Sequence, residues 1–294
     1  MFKFVPDRMN MEVELGTGAS GCIYPYQKFP EDDRWAIKAL FAQDIDGVLS
    51  AMQEIVLGFN CENDYILPIK GYHIEKSGQR GYNIYIKMPR MERNLKDVFN
   101  QYKEESKHIP LKQIVQYFYS IASGLEYLHE TKKIAHRDIK LANILVSKKN
   151  EIKIADIGVA KFVPDEETFS VLSEIAGARL YTAPEILAGN KKLKKGDLYK
   201  ADSWSLGIVM AELCLLRTRL INSVLPGRDI EETIQKELSS VGELYNPVLK
   251  DLLVGLLSLD PETRFSVGRV KKILEDNFAS ELVKIMLRVG FINK

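Results

Sequence analysis

Long apolar runs are missing from this chain, and cysteine is scarce. Of its 294 residues only Cys22, Cys61 and Cys214 are cysteines, an odd number at scattered positions. A disulfide framework is therefore not expected, and a reducing compartment is predicted. No window approaches the length of a membrane span, and residues 1–7 lack the apolar run of a signal peptide. We therefore expect a soluble, intracellular, cytoplasmic protein with no membrane partner.

An excess of charge of either sign is also absent. The 41 lysines and arginines nearly balance the 40 aspartates and glutamates, which leaves a formal net charge of +1. No overall charge therefore favours nucleic acid or an anionic membrane as a partner. Metal-ligand spacing is lacking too, so His73, His108 and His129 are interpreted as structural. The composition, 46% hydrophobic and 28% charged, is that of a globular protein with a sizeable core.

The apolar pattern changes along the chain. In the first ninety residues, short apolar runs broken by glycine and proline predict strands at residues 35–37, 66–67 and 84–86. One helical pattern interrupts them near residues 48–59. From Leu111 onward helices dominate, and steps of four and three residues predict one apolar stripe on a helix. The stripe consists of Ile114, Phe118, Ile121, Leu125 and Leu128.

These patterns predict an α+β protein with two lobes. The N-terminal lobe is predicted to be small and rich in strands with one main helix, and the C-terminal lobe to be larger and mainly helical. Within the second lobe, residues 144–146 and 152–154 predict a hairpin. The join falls near Met88 to Glu92, because Pro89 would break a strand. A cleft between the lobes is the expected ligand site.

Residues 136–158 carry the strongest chemical signal. Asp138, within His-Arg-Asp, can accept a proton from a hydroxyl, and Lys140 can neutralise a phosphoryl oxygen. Asn143 and Asp156 offer hard oxygen ligands that suit magnesium. Transfer of a terminal phosphoryl group needs such a set, because the protein's task there is positioning and charge neutralisation.

A glycine-rich run precedes a strand lysine. Glycines let backbone N–H groups lie over phosphates without a Cβ clash. Alone, such a run also opens dinucleotide-binding folds, but the helix and the strand–helix units of those folds do not follow here. Lys38, in Trp35-Ala36-Ile37-Lys38, can reach the α- and β-phosphates of a nucleotide. The run consists of Gly16, Thr17, Gly18, Ala19, Ser20 and Gly21.

The motifs and their order resemble a eukaryotic-type protein kinase domain of the serine/threonine class. The landmarks continue with Ala183-Pro184-Glu185, Asp202-Ser203-Trp204-Ser205-Leu206-Gly207 and Arg264. The resemblance implies ATP as the nucleotide, Mg²⁺ as the cofactor and proteins with serine or threonine hydroxyls as substrates. It implies a two-lobed α+β fold, with a small antiparallel β-sheet lobe (N-lobe) over residues 11–88, a hinge over about 89–92 and a mainly helical C-lobe over about 93–277. Residues 1–10 would be an N-terminal extension and 278–294 a C-terminal helical tail.

The same resemblance implies roles for individual residues. Asp138 would be the catalytic base, Asn143 and Asp156 would bind Mg²⁺, and Glu54 would hold the catalytic Lys38. For the last pairing, an inward-facing Gln53 or Asp46 is the alternative. Glu185 would pair with Arg264, and Asp202 would tie the catalytic loop to a central helix. Lys140 beside Asp138 favours serine and threonine over tyrosine hydroxyls.

A nucleotide pocket follows from the resemblance as well. Ile23, Ala36 and Leu145 would sandwich the adenine, and Met88 would guard the back of the pocket. Pro89, Arg90 and Met91 would form the hinge that binds adenine through backbone groups. The remaining nucleotide contacts would come from Leu15, residues 16–21 and Lys38.

Three positions depart from the family pattern. Ile157 replaces the usual phenylalanine after Asp156 and is expected to pack beneath the helix that carries Glu54. Gly58 stands where a bulky apolar side chain is usual. Either a gap remains at this place, or the side chain of Phe59 or Leu57 fills the space. Ala178 replaces a threonine that would hydrogen-bond the catalytic aspartate and lysine. We expect an active enzyme whose Asp138 is less firmly held.

The segment between Asp156 and Glu185 contains candidate regulatory sites. Thr168, Ser170 and Ser173 are candidates for phosphorylation, by an upstream kinase or by the protein itself. A phosphate there would neutralise Arg137. Glu174 lies near the usual phosphate position, so its carboxylate partly replacing a phosphate and ordinary phosphorylation of Ser173 are equally favoured.

Two further segments and two further functions stay open. Lys191, Lys192, Lys194 and Lys195 form a solvated loop or attract acidic substrates. The tail spacing of Leu282, Ile285, Met286 and Val289 predicts a helix that docks on the helical lobe or binds a partner. The alternatives to a protein kinase are a nucleotide-binding scaffold of pseudokinase type and a small-molecule kinase. The oligomeric state is open.

Overall fold

The computed structural model describes most of the chain. The described residues are 9, 11–18, 21–26, 33–78, 81–157, 161–162, 168–169, 179–188, 193–194, 196–218 and 230–288. Among these residues, no helix is long and apolar enough to cross a membrane.

The N-terminal lobe is built on an antiparallel sheet. Its strands, in the order β1-β2-β3-β5-β4 across the sheet, are β1 (Gly16–Gly18), β2 (Gly21–Tyr26), β3 (Trp35–Ala42), β4 (Gly71–Lys76) and β5 (Tyr82–Pro89). Helix α1 (Ile45–Asn60) follows β3, and Asp44 caps it by accepting a hydrogen bond from the Gly47 N–H (2.9 Å). The buried side of α1 and one face of the sheet share a core around Ile55, Ile84 and Ile86.

A larger, mainly helical lobe follows β5. Its helices are α2 (Leu95–Glu104), α3 (Leu111–Glu126), α4 (Pro184–Leu187), α5 (Asp197–Leu215), α6 (Ile230–Leu244), α7 (Pro247–Leu256), α8 (Val267–Asn277) and α9 (Ala279–Arg288). Its short strands are β6 (Arg93–Asn94), β7 (Ile134–Ala135), β8 (Ile144–Val146), β9 (Ile152–Ile154), β10 (Lys161–Phe162), β11 (Thr168–Phe169) and β12 (Leu193–Lys194). All five predicted stripe residues are buried, the last of them in a π-helical turn after α3. The predicted two-lobed α+β fold and the β8–β9 hairpin are confirmed.

One predicted strand is wrong. Residues 66–67 form no strand: Ile66 makes a single bridge to Ile154, and the Leu67 N–H donates to the Ile154 carbonyl (2.9 Å). This connection therefore joins the two lobes.

Helix α9 packs on α3 and α8, and its Leu282 is completely buried. Val289 lies outside the described residues.

Candidate active site

Asp138 is held by side chains from its own loop. The Asn143 side-chain amide donates to both the Asp138 carbonyl (2.9 Å) and the Asp138 Oδ2 (2.8 Å), and the Lys140 Nζ lies 2.6 Å from the same Oδ2. Asp138 and Asn143 are buried, whereas Lys140 is partly exposed. A carboxylate fixed in this way can accept a proton from a hydroxyl placed beside it.

Asp202 on α5 anchors the backbone of this loop. Its carboxylate accepts hydrogen bonds from the His136 N–H (2.7 Å), the Arg137 N–H (2.8 Å) and the His129 Nε2 (2.8 Å). Burial raises the pKa of Asp202, but the hydrogen bond and charge of His129 outweigh burial and hold this pKa below its ordinary value. Arg137 has a φ of 69°, a backbone conformation that residues other than glycine rarely adopt. The Asp202 carboxylate therefore maintains a backbone that local preference disfavours.

His136 connects this loop to Asp156. Its Nδ1 accepts from the Asp138 N–H (3.2 Å), and its Nε2 lies 3.1 Å from the Ala155 carbonyl oxygen. With these partners, Nδ1 is the acceptor of the ring and Nε2 its donor. His136 is fully buried and serves packing and hydrogen bonding.

Lys38 bridges two carboxylates across the cleft. Its Nζ lies 2.8 Å and 3.0 Å from the two Glu54 carboxylate oxygens and 3.0 Å from the Asp156 Oδ1. Burial lowers the pKa of Lys38, but the two carboxylates outweigh it and place this pKa above its ordinary value. Gln53 and Asp46, the alternative partners, are exposed. This charge network aligns a cation at the position where the phosphates of a nucleotide are expected.

The donor atoms of Asn143 and Asp156 fit a divalent cation. The Ala155 N–H donates to the Asn143 carbonyl (2.9 Å). Because Asp156 follows Ala155 in the chain, this bond brings Asp156 close to Asn143. Since the Asn143 amide nitrogen faces Asp138, its side-chain oxygen is the atom suited to a metal. No cluster of three histidines, cysteines or carboxylates is present among the described residues. Mg²⁺ commonly binds to one or two protein ligands and completes its shell with substrate phosphates and water, which matches this set.

The predicted nucleotide residues line one side of the N-lobe core. Ala36 on β3 pairs in register with Met88 on β5, and Ile23, Met91 and Leu145 pack against the same core. Gly16, Thr17 and Gly18 form β1, and the Leu15 N–H donates to the Ile23 carbonyl (2.8 Å). Ala19 and Ser20 lie outside the described residues.

Gly21 begins β2 with a φ of 132°, and a Cβ there would lie 2.4 Å from the Ala39 carbonyl oxygen. This turn therefore requires glycine.

The predicted hinge, Pro89 to Met91, offers few backbone donors. Pro89 has no N–H, and the Arg90 N–H donates to the Arg34 carbonyl (2.8 Å). Among Pro89, Arg90 and Met91, the residue whose N–H can serve a ligand is therefore Met91. The Pro89 carbonyl adds an acceptor to the same stretch.

The structure resolves two of the three departures from the family pattern. Ile157 is buried against Leu57 of α1 and Ile134 of β7, as predicted. At Gly58, by contrast, neither a gap nor Phe59 nor Leu57 is found. Ile69 fills this space, and no sequence signal indicated that residue. Ala178 lies outside the described residues.

The candidate regulatory residues are only partly described. Arg137 is half-buried, and Thr168 of β11 pairs in register with Lys194 of β12. Gly158, Ser170, Ser173, Glu174, Lys191, Lys192 and Lys195 lie outside the described residues. An ion pair holds the end of this segment at Glu185. The fully buried Arg264 guanidinium donates to both Glu185 carboxylate oxygens (2.6 Å and 2.9 Å).

Comparisons with known proteins show which family this chain resembles. The serine/threonine-protein kinase Nek4 of Mus musculus is 31% identical over 192 residues, which cover 65% of this chain and 23% of that protein. The serine/threonine-protein kinase Nek10 of Mus musculus is 25% identical over 283 residues, covering 93% of this chain and 24% of that protein. For the serine/threonine-protein kinase Nek6 of Oryza sativa subsp. japonica, the identity is 29% over 264 residues, covering 87% of this chain and 46% of that protein. The chain thus spans about a quarter to about a half of the length of these relatives. Because the model of the family described as protein kinase domain matches residues 9–279, the chain belongs to the protein kinase domain family.

Proposed function

We propose that this chain transfers the γ-phosphoryl group of ATP to serine or threonine hydroxyls of protein substrates. The observation that carries the proposal is the presence of two side-chain networks, Lys38–Glu54–Asp156 and Asp138–Lys140–Asn143. Phosphoryl transfer requires mainly positioning and charge neutralisation, and these networks supply both. Membership of the protein kinase domain family and the printed names of the relatives point in the same direction.

Asp138 acts as the catalytic base for the substrate hydroxyl. The hydrogen bond from Asn143 orients its carboxylate, and Lys140 neutralises the transferred phosphoryl oxygens. Lys38, held by Glu54, binds the α- and β-phosphates. With Lys140 two residues after the base, serine and threonine are the preferred acceptors.

Asn143 and Asp156 would hold Mg²⁺, which would supply positive charge to neutralise the phosphates of the nucleotide. ATP lies beneath Leu15, residues 16–21 and Ile23, with adenine between Ala36 and Leu145 and in front of Met88. The hinge, Pro89 to Met91, binds adenine through the Pro89 carbonyl and the Met91 N–H.

Regulation acts through the segment that follows Asp156. Phosphorylation at Thr168, Ser170 or Ser173, by an upstream kinase or by the protein itself, adds charge that Arg137 can bind, and Glu174 partly replaces that charge.

The domain limits and cellular location are also proposals. The kinase domain occupies residues 11–277, with its hinge at 89–92, an extension before it and the α9 tail after it. The protein works in the cytoplasm, as the three free cysteines favour a reducing compartment.

Radiolabelled ATP transfer by the purified chain tests the proposal. With Mg²⁺ and a basic protein substrate, label should appear on serine or threonine, and Asp138→Asn should lower kcat by about 10²- to 10⁴-fold. Asp251→Asn, which changes an exposed carboxylate on α7, is the matched control and should leave kcat unchanged. If the wild type and Asp138→Asn were equally silent while ATP still raised the melting temperature, the chain would be a nucleotide-binding scaffold.

A further inference from the structure

An ion pair joins the two lobes beside the hinge. Asp33 lies shortly before β3 of the N-lobe, and Lys148 lies on the turn between β8 and β9 of the C-lobe. The Lys148 Nζ donates a hydrogen bond to the Asp33 Oδ2. This hydrogen bond and the charge of Lys148, followed by the charge of Arg90, hold the pKa of Asp33 below its ordinary value. Asp33 is therefore ionised at neutral pH.

Two backbone hydrogen bonds fasten the hinge to the same two parts of the chain. The Arg90 N–H donates to the Arg34 carbonyl (2.8 Å), just before β3, and the Glu92 N–H donates to the Val146 carbonyl (2.9 Å) on β8. Between these bonds the lobes can still rotate, because the backbone keeps two soft dihedral angles per residue. The ion pair closes this ring of contacts and opposes the rotation.

Each partner of the ion pair lies three residues from a residue of the proposed adenine site. Ala36 follows Asp33 on β3, and Leu145 precedes Lys148 on β8. Three residues span at most about 11 Å of chain. Since β3 lies between β2 and β5, and β8 between β6 and β9, ladder hydrogen bonds hold both strands along their edges. A displacement at either end of the ion pair is therefore transmitted to the residues proposed to sandwich adenine.

The ion pair occurs in the same arrangement of the lobes as the contact between Lys38 and Asp156. Lys38 belongs to β3 and Asp156 follows β9, and their Nζ and Oδ1 atoms are 3.0 Å apart. A contact stabilises the arrangement in which it forms relative to arrangements in which it is broken. The bond between Asp33 and Lys148 therefore favours the arrangement in which the proposed nucleotide site is assembled.

We propose that Asp33 and Lys148 are positioning residues for the nucleotide. Their ion pair holds β3 and β8 at the separation that admits adenine between Ala36 and Leu145. The Asp33 and Lys148 side chains are 49% and 65% exposed, so water weakens their attraction. An exposed pair of this kind changes an equilibrium by about 1.5- to 5-fold. The inference rests on the proposed function, which supplies the adenine site.

The first test compares two variants that change the charge in opposite directions. Lys148→Gln and Asp33→Asn should each raise the Kd of ATP, measured by calorimetry with Mg²⁺, by about 2- to 5-fold, because each breaks the pair. If only the charge near the phosphates mattered, loss of the Asp33 carboxylate would tighten binding instead. Opposite changes in Kd for the two variants, or no change in either, would overturn the proposal.

A double variant shows whether the two residues act as one unit. Asp33→Asn combined with Lys148→Gln should give the Kd of a single variant to within about 1.5-fold, and not the product of both effects. Lys148→Arg keeps the charge and should bind ATP like the wild type. Lys149→Gln is the matched control, because it removes an exposed lysine from the same turn, and it should leave Kd unchanged. Multiplied effects in the double variant, or an equal loss at Lys149, would contradict the proposal.

Two partial ligands separate an effect on adenine from an effect on the phosphates. Lys148→Gln should weaken the binding of adenosine by the same factor as that of ATP, and should leave the Kd of Mg²⁺-tripolyphosphate unchanged. In phosphoryl transfer, the KM for ATP should rise by this factor with kcat unchanged, as expected when only binding is lost. Equal weakening of tripolyphosphate would show that Lys148 acts through its charge, and would overturn the proposal.

Hydrogen exchange of the Arg90 amide, followed by NMR without nucleotide, provides a readout that needs no ligand. The Arg90 N–H should exchange about 2- to 5-fold faster in Lys148→Gln. The Lys70 N–H, which donates to the Lys87 carbonyl in the same lobe, should keep its rate. An unchanged Arg90 rate would overturn the proposal. A wild-type chain that bound no ATP would instead overturn the proposed function, while the Arg90 rate would still decide whether the ion pair holds the lobes.

Discussion

At the residue scale, Asp202 is the strongest test of how the catalytic loop is stabilised. Asp202→Ala leaves two backbone N–H groups and His129 without their buried acceptor, so the free energy of unfolding should fall by about 3–5 kcal/mol. Urea denaturation measures this change. Asp251→Ala, at an exposed site on α7, should change the free energy of unfolding by less than about 0.5 kcal/mol. Similar losses for both variants would mean that the Asp202 hydrogen bonds contribute little.

The pKa of Asp202 gives this contribution a pH dependence. Because the pKa is lower in the folded chain than in the unfolded chain, ionised Asp202 stabilises the fold above the unfolded value. This stability is lost as pH falls through the folded pKa. The difference in unfolding free energy between wild type and Asp202→Ala should therefore be constant from pH 7 to about 4 and shrink below it. A difference that grows on acidification would contradict this sign.

Spacing alone could predict only groups of residues that lie close together in the chain, whereas the distant pairs Lys38–Glu54 and Glu185–Arg264 were predicted through the resemblance to the family. Asp138, Lys140 and Asn143 lie within six residues, so their spacing alone indicated a shared site. Ile69 beside Gly58 and His129 on Asp202 were not predictable in this way. Their contacts arise from packing between separate elements, and neither residue belongs to a recognisable motif.

At the element scale, the tail helix α9, which packs on α3 and α8, is expected to stabilise the C-lobe. Leu282 is completely buried although it lies just beyond the family match at residue 279. Leu282→Ala should lower the free energy of unfolding by about 2–5 kcal/mol, because it leaves a cavity against α3 and α8. Val283, its exposed neighbour, supplies the control: Val283→Ala should cost less than about 0.5 kcal/mol in urea denaturation. Equal small effects would show that α9 is dispensable.

Elements with long periodic apolar patterns were predicted correctly, whereas the short apolar run at residues 66–67 was wrongly predicted to be a strand. The stripe on α3 spans several turns, which makes its period unambiguous. Ile66 and Leu67 are only two apolar residues, and such a run cannot distinguish a strand from a buried loop. The partners of this run on β9 come from the other lobe, about ninety residues later, where no local pattern indicates them.

At the scale of the whole molecule, the two lobes have separate hydrophobic cores of unequal size. The N-lobe core is centred on α1 and the sheet, and the C-lobe core extends through α3, α5 and α7. A smaller core buries less apolar surface and so supports less stability. Without nucleotide, backbone amides of β2 and β3 should therefore exchange with deuterium faster than those of α3 and α5. Mass spectrometry of the exchanging chain measures this difference, and uniform protection across the lobes would contradict it.

ATP should reduce that difference between the lobes. The proposed site draws on the sheet of one lobe and on Asn143 of the other, so bound nucleotide stabilises their closed arrangement. At a concentration of 100 times Kd, a ligand adds about 2.7 kcal/mol, which corresponds to exchange slower by about 100-fold for amides that open with the site. Amides of β2 and β3 should show this slowing in the presence of ATP and Mg²⁺, whereas those buried in α5 should change less. Lys38→Met should abolish the effect, because it removes the cation that binds the phosphates. Slowing that is equal in both lobes would mean that the chain unfolds as one cooperative unit.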